Sequence, residues 1–194
     1  MIHNNDVKYG SVDSGNLEIN ENELAARLGY IPDIYSLKNE INRFNAAANY
    51  RYAYVKLPIE ITNEVIDFGF SSVNSDSLSK VLNGCNEAYI LAVSAGIDTD
   101  RLINKLYFQS SSEAFITDCI GSVMVEALAD YVNFEICKDL NTTKRFSPGY
   151  SDFPLDFQKP LLDRLSAQST VGISLSEQLF MTPMKSITAI IGIK

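Results

Sequence analysis

The stretch "RFSPGYSDFP", residues 145–154, sets the terms on which the rest of the chain is read. Pro148 fixes its own φ and biases Ser147 toward extended backbone, while Gly149 admits dihedrals closed to other residues and Pro154 bounds the segment. The result is a loop with little freedom, able to present backbone N–H and C=O groups in a set direction. Tyr150 offers a ring face or a hydroxyl, and Arg145 offers a fork suited to a carboxylate or phosphate. Such a loop can be a structural corner or a ligand loop, and its flanks have to be read with it.

Upstream, "SSSEAFITDCIGSVMVEALADYVNFEICKDL" reads as the longest helix, opened by a capping box from Ser110 to Glu113. Phe115, Ile116, Cys119, Ile120, Val123, Ala127, Leu128 and Tyr131 form a wide apolar face. The opposite face carries Asp118, Gly121, Ser122, Val125, Glu126 and Ala129, small side chains with two acids. At about 100° per residue the two acids lie roughly 80° apart, two turns along one side. That face can approach a ligand or another backbone closely; it can equally pack on a neighbouring strand and leave its carboxylates in water.

Downstream, "DFQKPLLDRLSAQ" reads as a helix with Pro160 in its first turns, and Ile187–Ile193 as a strand. Nearer the N-terminus, "INENELAARLGY" and "DIYSLKNEINRFNAAANY" have helical spacing, the first with Asn20 or Asn22 as cap and Gly29 as stop. "YRYAYVKLPIEI" and "EVIDFGFSSV" read as strands turned at "TN" into a hairpin, "DSLSKVLNGC" as a short helix stopped by Gly84, and "AYILAVSAG" as a strand buried on both faces. Residues 1–17 read as a loose, flexible arm. Helices and strands are intermixed without a βαβ rhythm, which predicts an α+β fold. "AVSAGIDTD" echoes only faintly the glycine-rich turn of a dinucleotide or methyltransferase βαβ unit.

The 194 residues suit one domain, and 46% hydrophobic content with a mean hydropathy of −0.02 predicts a globular one. A net charge of −8 argues against nucleic-acid backbone or an anionic membrane surface as partner. The polar N-terminus lacks a signal-peptide core and no window has the length of a membrane span, so the expected location is the cytoplasm. Cys85, Cys119 and Cys137 are odd in number and widely spaced, reading as small core residues rather than a disulfide framework. His3 is the only histidine. Ser-His-Asp, Cys-His and histidine-based metal chemistry therefore lack their raw material, and no loop alternates acidic ligands with a turn glycine. No catalytic residue and no metal ligand is assigned.

"RFSPGYSDFPLDFQ", preceded by "DCIGSVMVEALADY" and followed by "GISLSEQLFMTPMKSITAIIG", resembles the activation (reactivation) domain of vitamin B12-dependent methionine synthase. "INENELAARLGY" and "LNGCNEAYILAVSAGIDTDRLI" extend the likeness to the short, free-standing members of that family, from about residue 18 to the end. The resemblance implies a single domain over 18–194, a mainly antiparallel sheet flanked by helices. It implies S-adenosylmethionine as ligand and cobalamin carried by a partner, a methionine synthase chain, with a flavodoxin-like protein as electron donor. The chain would then be an accessory component of a methyltransferase, supporting reductive remethylation of cob(II)alamin. By motif, Arg145 grips the ligand's carboxylate, Ser147, Gly149 and Tyr150 line the adenosine part, and Glu126 faces the cationic methionyl end; Asp118 is a weaker candidate. Family members also have an acid near their start and a tyrosine in a late strand; the chain is expected to stop, at Lys194, before that strand. The alternative is a docking or cap protein for a corrinoid protein that does not use S-adenosylmethionine. An S-adenosylmethionine sensor without corrinoid partner is a third, weaker reading.

Overall fold

A computed structural model describes residues 6–194; His3 lies outside the described residues. The chain begins with β1 (Lys8–Ser11), followed by α1 (Glu21–Leu28) and α2 (Lys38–Ala47). The Asn20 side chain accepts the Glu23 N–H at 3.1 Å, and Gly29 ends α1 in the left-handed conformation at φ 77°, so both ends of this helix are set by local chemistry. The chain then runs through β2 (Arg51–Pro58), the short strands β3 (Glu60–Thr62), β4 (Val65–Asp67) and β5 (Ser72–Asn74), helix α3 (Asp76–Val81) and β6 (Glu87–Ser94). Two helices come next, α4 (Ile97–Tyr107) and α5 (Ser111–Cys137), and after the loop α6 (Gln158–Arg164) and α7 (Ala167–Thr170). The two-residue strands β7 (Ser174–Leu175) and β8 (Met181–Thr182) precede β9 (Ser186–Ile193).

The principal sheet has the order β1-β2-β6-β9, antiparallel at every step. Central β6 pairs along its whole length with β2, from Arg51↔Ser94 to Pro58↔Glu87, and with β9, from Ser94↔Ser186 to Glu87↔Ile193. Alternation along these strands sends side chains to two separate cores. Val55, Ile90 and Ile190 join Phe153, Phe157 and Leu161 on one face; Leu91, Val93, Ala189 and Ile191 join Leu24, Phe44, Ile120 and Leu128 on the other. The sheet is the middle layer of an α+β domain, as the interleaved sequence pattern requires.

Several local expectations change. The arm assigned to residues 1–17 does not describe 8–17: β1 pairs with β2 in the register Lys8↔Tyr54 to Ser11↔Arg51, and Leu17 is buried. The hairpin turns at Asn63–Glu64, one residue beyond the expected "TN" and between β3 and β4, since Thr62 still pairs with Val65; β2 belongs to the principal sheet. "EVIDFGFSSV" is two strands, because Gly69 takes φ 75° and its N–H is held by the Asp67 carboxylate at 2.8 Å. Helix α4, absent from the sequence reading, follows β6 directly after Gly96. Only half of the capping box forms. Ser110 accepts the Glu113 N–H at 3.3 Å, whereas the Glu113 carboxylate is taken by Arg43 at 3.0 Å.

Helix α5 spans 27 residues and buries both kinds of face that its sequence separates. Gly121, Val125 and Ala129, from the small-residue side, are buried, while Phe115 is about half exposed. A Cβ on Gly121 would stand 2.7 Å from the fully buried Phe44 ring and 3.1 Å from Lys185 Cε. The small-residue face is therefore a packing face over much of its length, and its polar members mark where it opens. Residues 141–146 leave α5 and run beside β9. Phe146 and Ile190 exchange both backbone bonds (2.9 and 2.8 Å), Thr143 donates to Gly192 O at 3.0 Å and Lys194 donates to Asn141 O at 2.8 Å.

Candidate functional site

The loop read first from the sequence folds back on itself. Gly149 N–H donates to Phe153 O at 2.8 Å, Phe153 N–H to Tyr150 O at 2.9 Å, and Tyr150 N–H to Ser147 O at 3.2 Å. Gly149 adopts φ 90°, and a Cβ there would meet Leu155 Cδ1 at 3.1 Å, so the residue shapes the turn. Phe153, 1% exposed, anchors the loop in the core, and Pro148 is buried beside it. Asp152 ties the loop to the start of α3, accepting from Ser75 Oγ at 2.9 Å, Asp76 N–H at 2.7 Å and Ser77 N–H at 3.1 Å. Hydrogen bonding from Ser77 first, then from Ser75 and the helix amides, holds the Asp152 carboxyl down at about 2. The segment is stiff for reasons that the sequence exposed in part: its proline and glycine were legible, the Asp152 tether was not.

Between this loop, α5 and β9 lies a cleft of about 340 Å³, within the range of small-molecule sites. Glu126, Arg145, Ser147 and Tyr150 line it, four of the five residues singled out by sequence. Gly149 is not among its lining residues. The Tyr150 ring stands 6.2 Å from that of Phe146, which also lines the cleft, and is 63% exposed, giving the opening an aromatic rim. Thr188 and Ile187 of β9, with Met181 of β8, supply part of the remaining wall.

Arg145 is the electrostatic centre. Its Nη2 donates to Glu126 Oε2 at 3.0 Å and to Asp130 Oδ1 at 2.8 Å, while Nη1 is buried with no hydrogen-bond partner. Asp130, four residues after Glu126 and so one turn further along α5, was missed by the sequence reading; its helical spacing from Glu126 was the available signal. The fork thus has a free donor beside two acids, which suits a ligand bearing a carboxylate and a cation close together. A second orphan borders the same cleft: Gln158 Oε1, also buried and without a partner.

Asp118 belongs elsewhere. Its carboxylate pairs with Lys185 Nζ at 2.8 Å, and the same ammonium donates to Ser122 Oγ at 2.9 Å. Nearby, Asp100 accepts the Met184 N–H at 2.9 Å, and burial raises its carboxyl above the ordinary range. Neither Asp118 nor Lys185 lines the cleft. Among the described residues no group of three or more His, Cys, Asp or Glu is placed to hold a metal ion, all three cysteines are free, and no helix is long and apolar enough to cross a membrane.

These features define an α+β domain built on a four-stranded antiparallel sheet, with a cleft where a proline-glycine loop meets the longest helix. Its fold is that of the methionine synthase reactivation domain. The crystal structure of the MetH reactivation domain bound to AdoHcy superposes with a TM-score of 0.79, covering 96% of this chain and 78% of that one at 14% identity. No family sequence model matches the chain, and no curated protein sequence does. At this identity, likeness is visible in the fold while most side chains differ.

Proposed function

We propose that the chain is a reactivation subunit for a cobalamin-dependent methionine synthase, binding S-adenosylmethionine in the cleft and supporting reductive remethylation of cob(II)alamin held by a partner chain. The observation that carries this reading is the convergence of Glu126, Arg145, Ser147 and Tyr150 on one cleft, in a fold whose solved counterpart binds AdoHcy. The residues fit the ligand class: an unsatisfied guanidinium nitrogen for a carboxylate, acids for an amino group or sulfonium, and an aromatic rim for a nucleoside.

In this reading the bound ligand supplies the methyl group, cobalamin on the partner accepts it, and a separate donor protein supplies the electron. The chain's own residues do no proton transfer. Arg145 fixes the amino-acid end, Glu126 balances the positive charge beside it, and the loop holds the nucleoside so that the methyl points outward. Placement of this kind contributes by removing translational and rotational freedom before reaction.

Calorimetric titration with S-adenosylmethionine tests the reading. Micromolar binding is expected for the wild type, weakened at least a hundredfold by Arg145→Ala. No heat at millimolar ligand, with the protein alone and with a cobalamin-loaded partner, would sink it and leave the docking role.

A further inference from the structure

Gln158 opens α6 and borders the cleft, yet no role falls to it from any sequence motif. The residue is 7% exposed, and among the described residues its amide makes no hydrogen bond; Oε1 is buried without a partner at the cleft wall. Buried amides are nearly always paired, so an unpaired one calls for a physical reason. Relaxation of the helix is blocked on both sides, because Phe157 before it and Leu161 after it are set in the core at 4% and 0% exposure. An apolar side chain of similar length would fill the same space without an unsatisfied dipole.

The cleft therefore contains two orphans of different character. Arg145 Nη1 can only donate, whereas the Gln158 amide can accept through Oε1 and donate through Nε2. A carboxylate answers the first. A purine edge, with an amino group that donates beside a ring nitrogen that accepts, answers the second, and glutamine pairs with adenine in this way in other settings. We propose that Gln158 reads the nucleobase of the ligand whose carboxylate Arg145 holds. This assignment rests on the S-adenosylmethionine reading and adds to it a residue that selects for an aminopurine.

Three ligands separate the two ends: S-adenosylhomocysteine, which has both, 5′-methylthioadenosine, which lacks the carboxylate, and methionine, which lacks the nucleoside. Gln158→Met is expected to weaken the first two at least tenfold, to leave methionine unchanged, and to melt at or above the wild-type temperature, since an unsatisfied buried dipole is removed. Arg145→Ala should show the complementary pattern, losing S-adenosylhomocysteine and methionine and keeping 5′-methylthioadenosine. Wild-type affinity of Gln158→Met for both nucleosides would overturn the assignment while leaving the S-adenosylmethionine reading intact; a lowered melting temperature would make the amide structural and overturn it as well. Failure of the wild type to bind any of the three would overturn both readings. If Gln158→Met does not fold, Gln158→Glu, which can accept but not donate at neutral pH, is expected to lose the nucleosides, and unchanged binding would again overturn the assignment.

Discussion

Of the cations that meet helix α5, Lys185 and Arg145 sit about two turns apart and are treated differently. Lys185 is 9% exposed at its side chain, and its ammonium is matched by Asp118 and Ser122. Arg145 is 20% exposed, has both acids crowded on one nitrogen, and leaves the other nitrogen unpaired. The first arrangement is a latch between α5 and the segment leading into β9. The second is a socket: two carboxylates on a single nitrogen repel each other, and a donor is left over. The contrast is between a cation whose partners are complete and one that keeps an unpaired donor while lining the cleft.

Substitutions break or sharpen this contrast. The largest effect is expected from Lys185→Met, which leaves Asp118 without its cation. Asp118 is 37% exposed, so the cost should fall to about 2–3 kcal/mol, below that of a fully buried pair, read from the urea midpoint. Gly121→Ala tests the packing beside Lys185. With Phe44 fully buried and 2.7 Å from the new methyl, about 2 kcal/mol of stability should be lost, and a smaller alteration would mean that α2 can move away.

Asp152 is an exposed carboxylate whose oxygens are supplied by three donors, the opposite of the open socket. Its folded pKa is depressed to about 2, so its contribution is present above the unfolded value of about 3.9 and is lost as pH falls through the folded one. Asp152→Asn should accordingly flatten the fall of the urea midpoint between pH 4 and pH 2, and an unchanged profile would remove the tether from the account. The smallest effect belongs to Asp130→Asn: at 74% exposure the pair should contribute about 0.5 kcal/mol or less, seen in the same denaturation experiment at low salt.

What the sequence revealed follows the reach of the interactions concerned. Helix α1 was legible because Asn20 and Gly29 act on their own neighbours, and β9 because an apolar run states its burial directly. The loop was legible through Pro148 and Gly149, whose constraints are local. Strand β1 was not: Lys8–Ser11 has no apolar alternation and is held by backbone pairing with β2. Helix α4 was hidden because Thr99 and Asp100 sit on its buried side, Asp100 capping the amide of Met184, 84 residues away. Four of the five candidate residues named from sequence line one cleft, but their bonds were not legible. Glu126 and Arg145 could be named, while the choice of Asp130 for Arg145 and of Lys185 for Asp118 is made by how the layers close.

The bonding of residues 141–146 along β9 has a consequence for the chain outside its own fold. A bare outer strand as apolar as "SITAIIGI" would offer unpaired N–H and C=O groups to any extended segment, the usual starting point for aggregation. Here Phe146, Thr143 and Asn141 engage backbone groups of Ile190, Gly192 and Lys194, so the peptide that delivers Arg145 to the cleft also guards that edge against self-association.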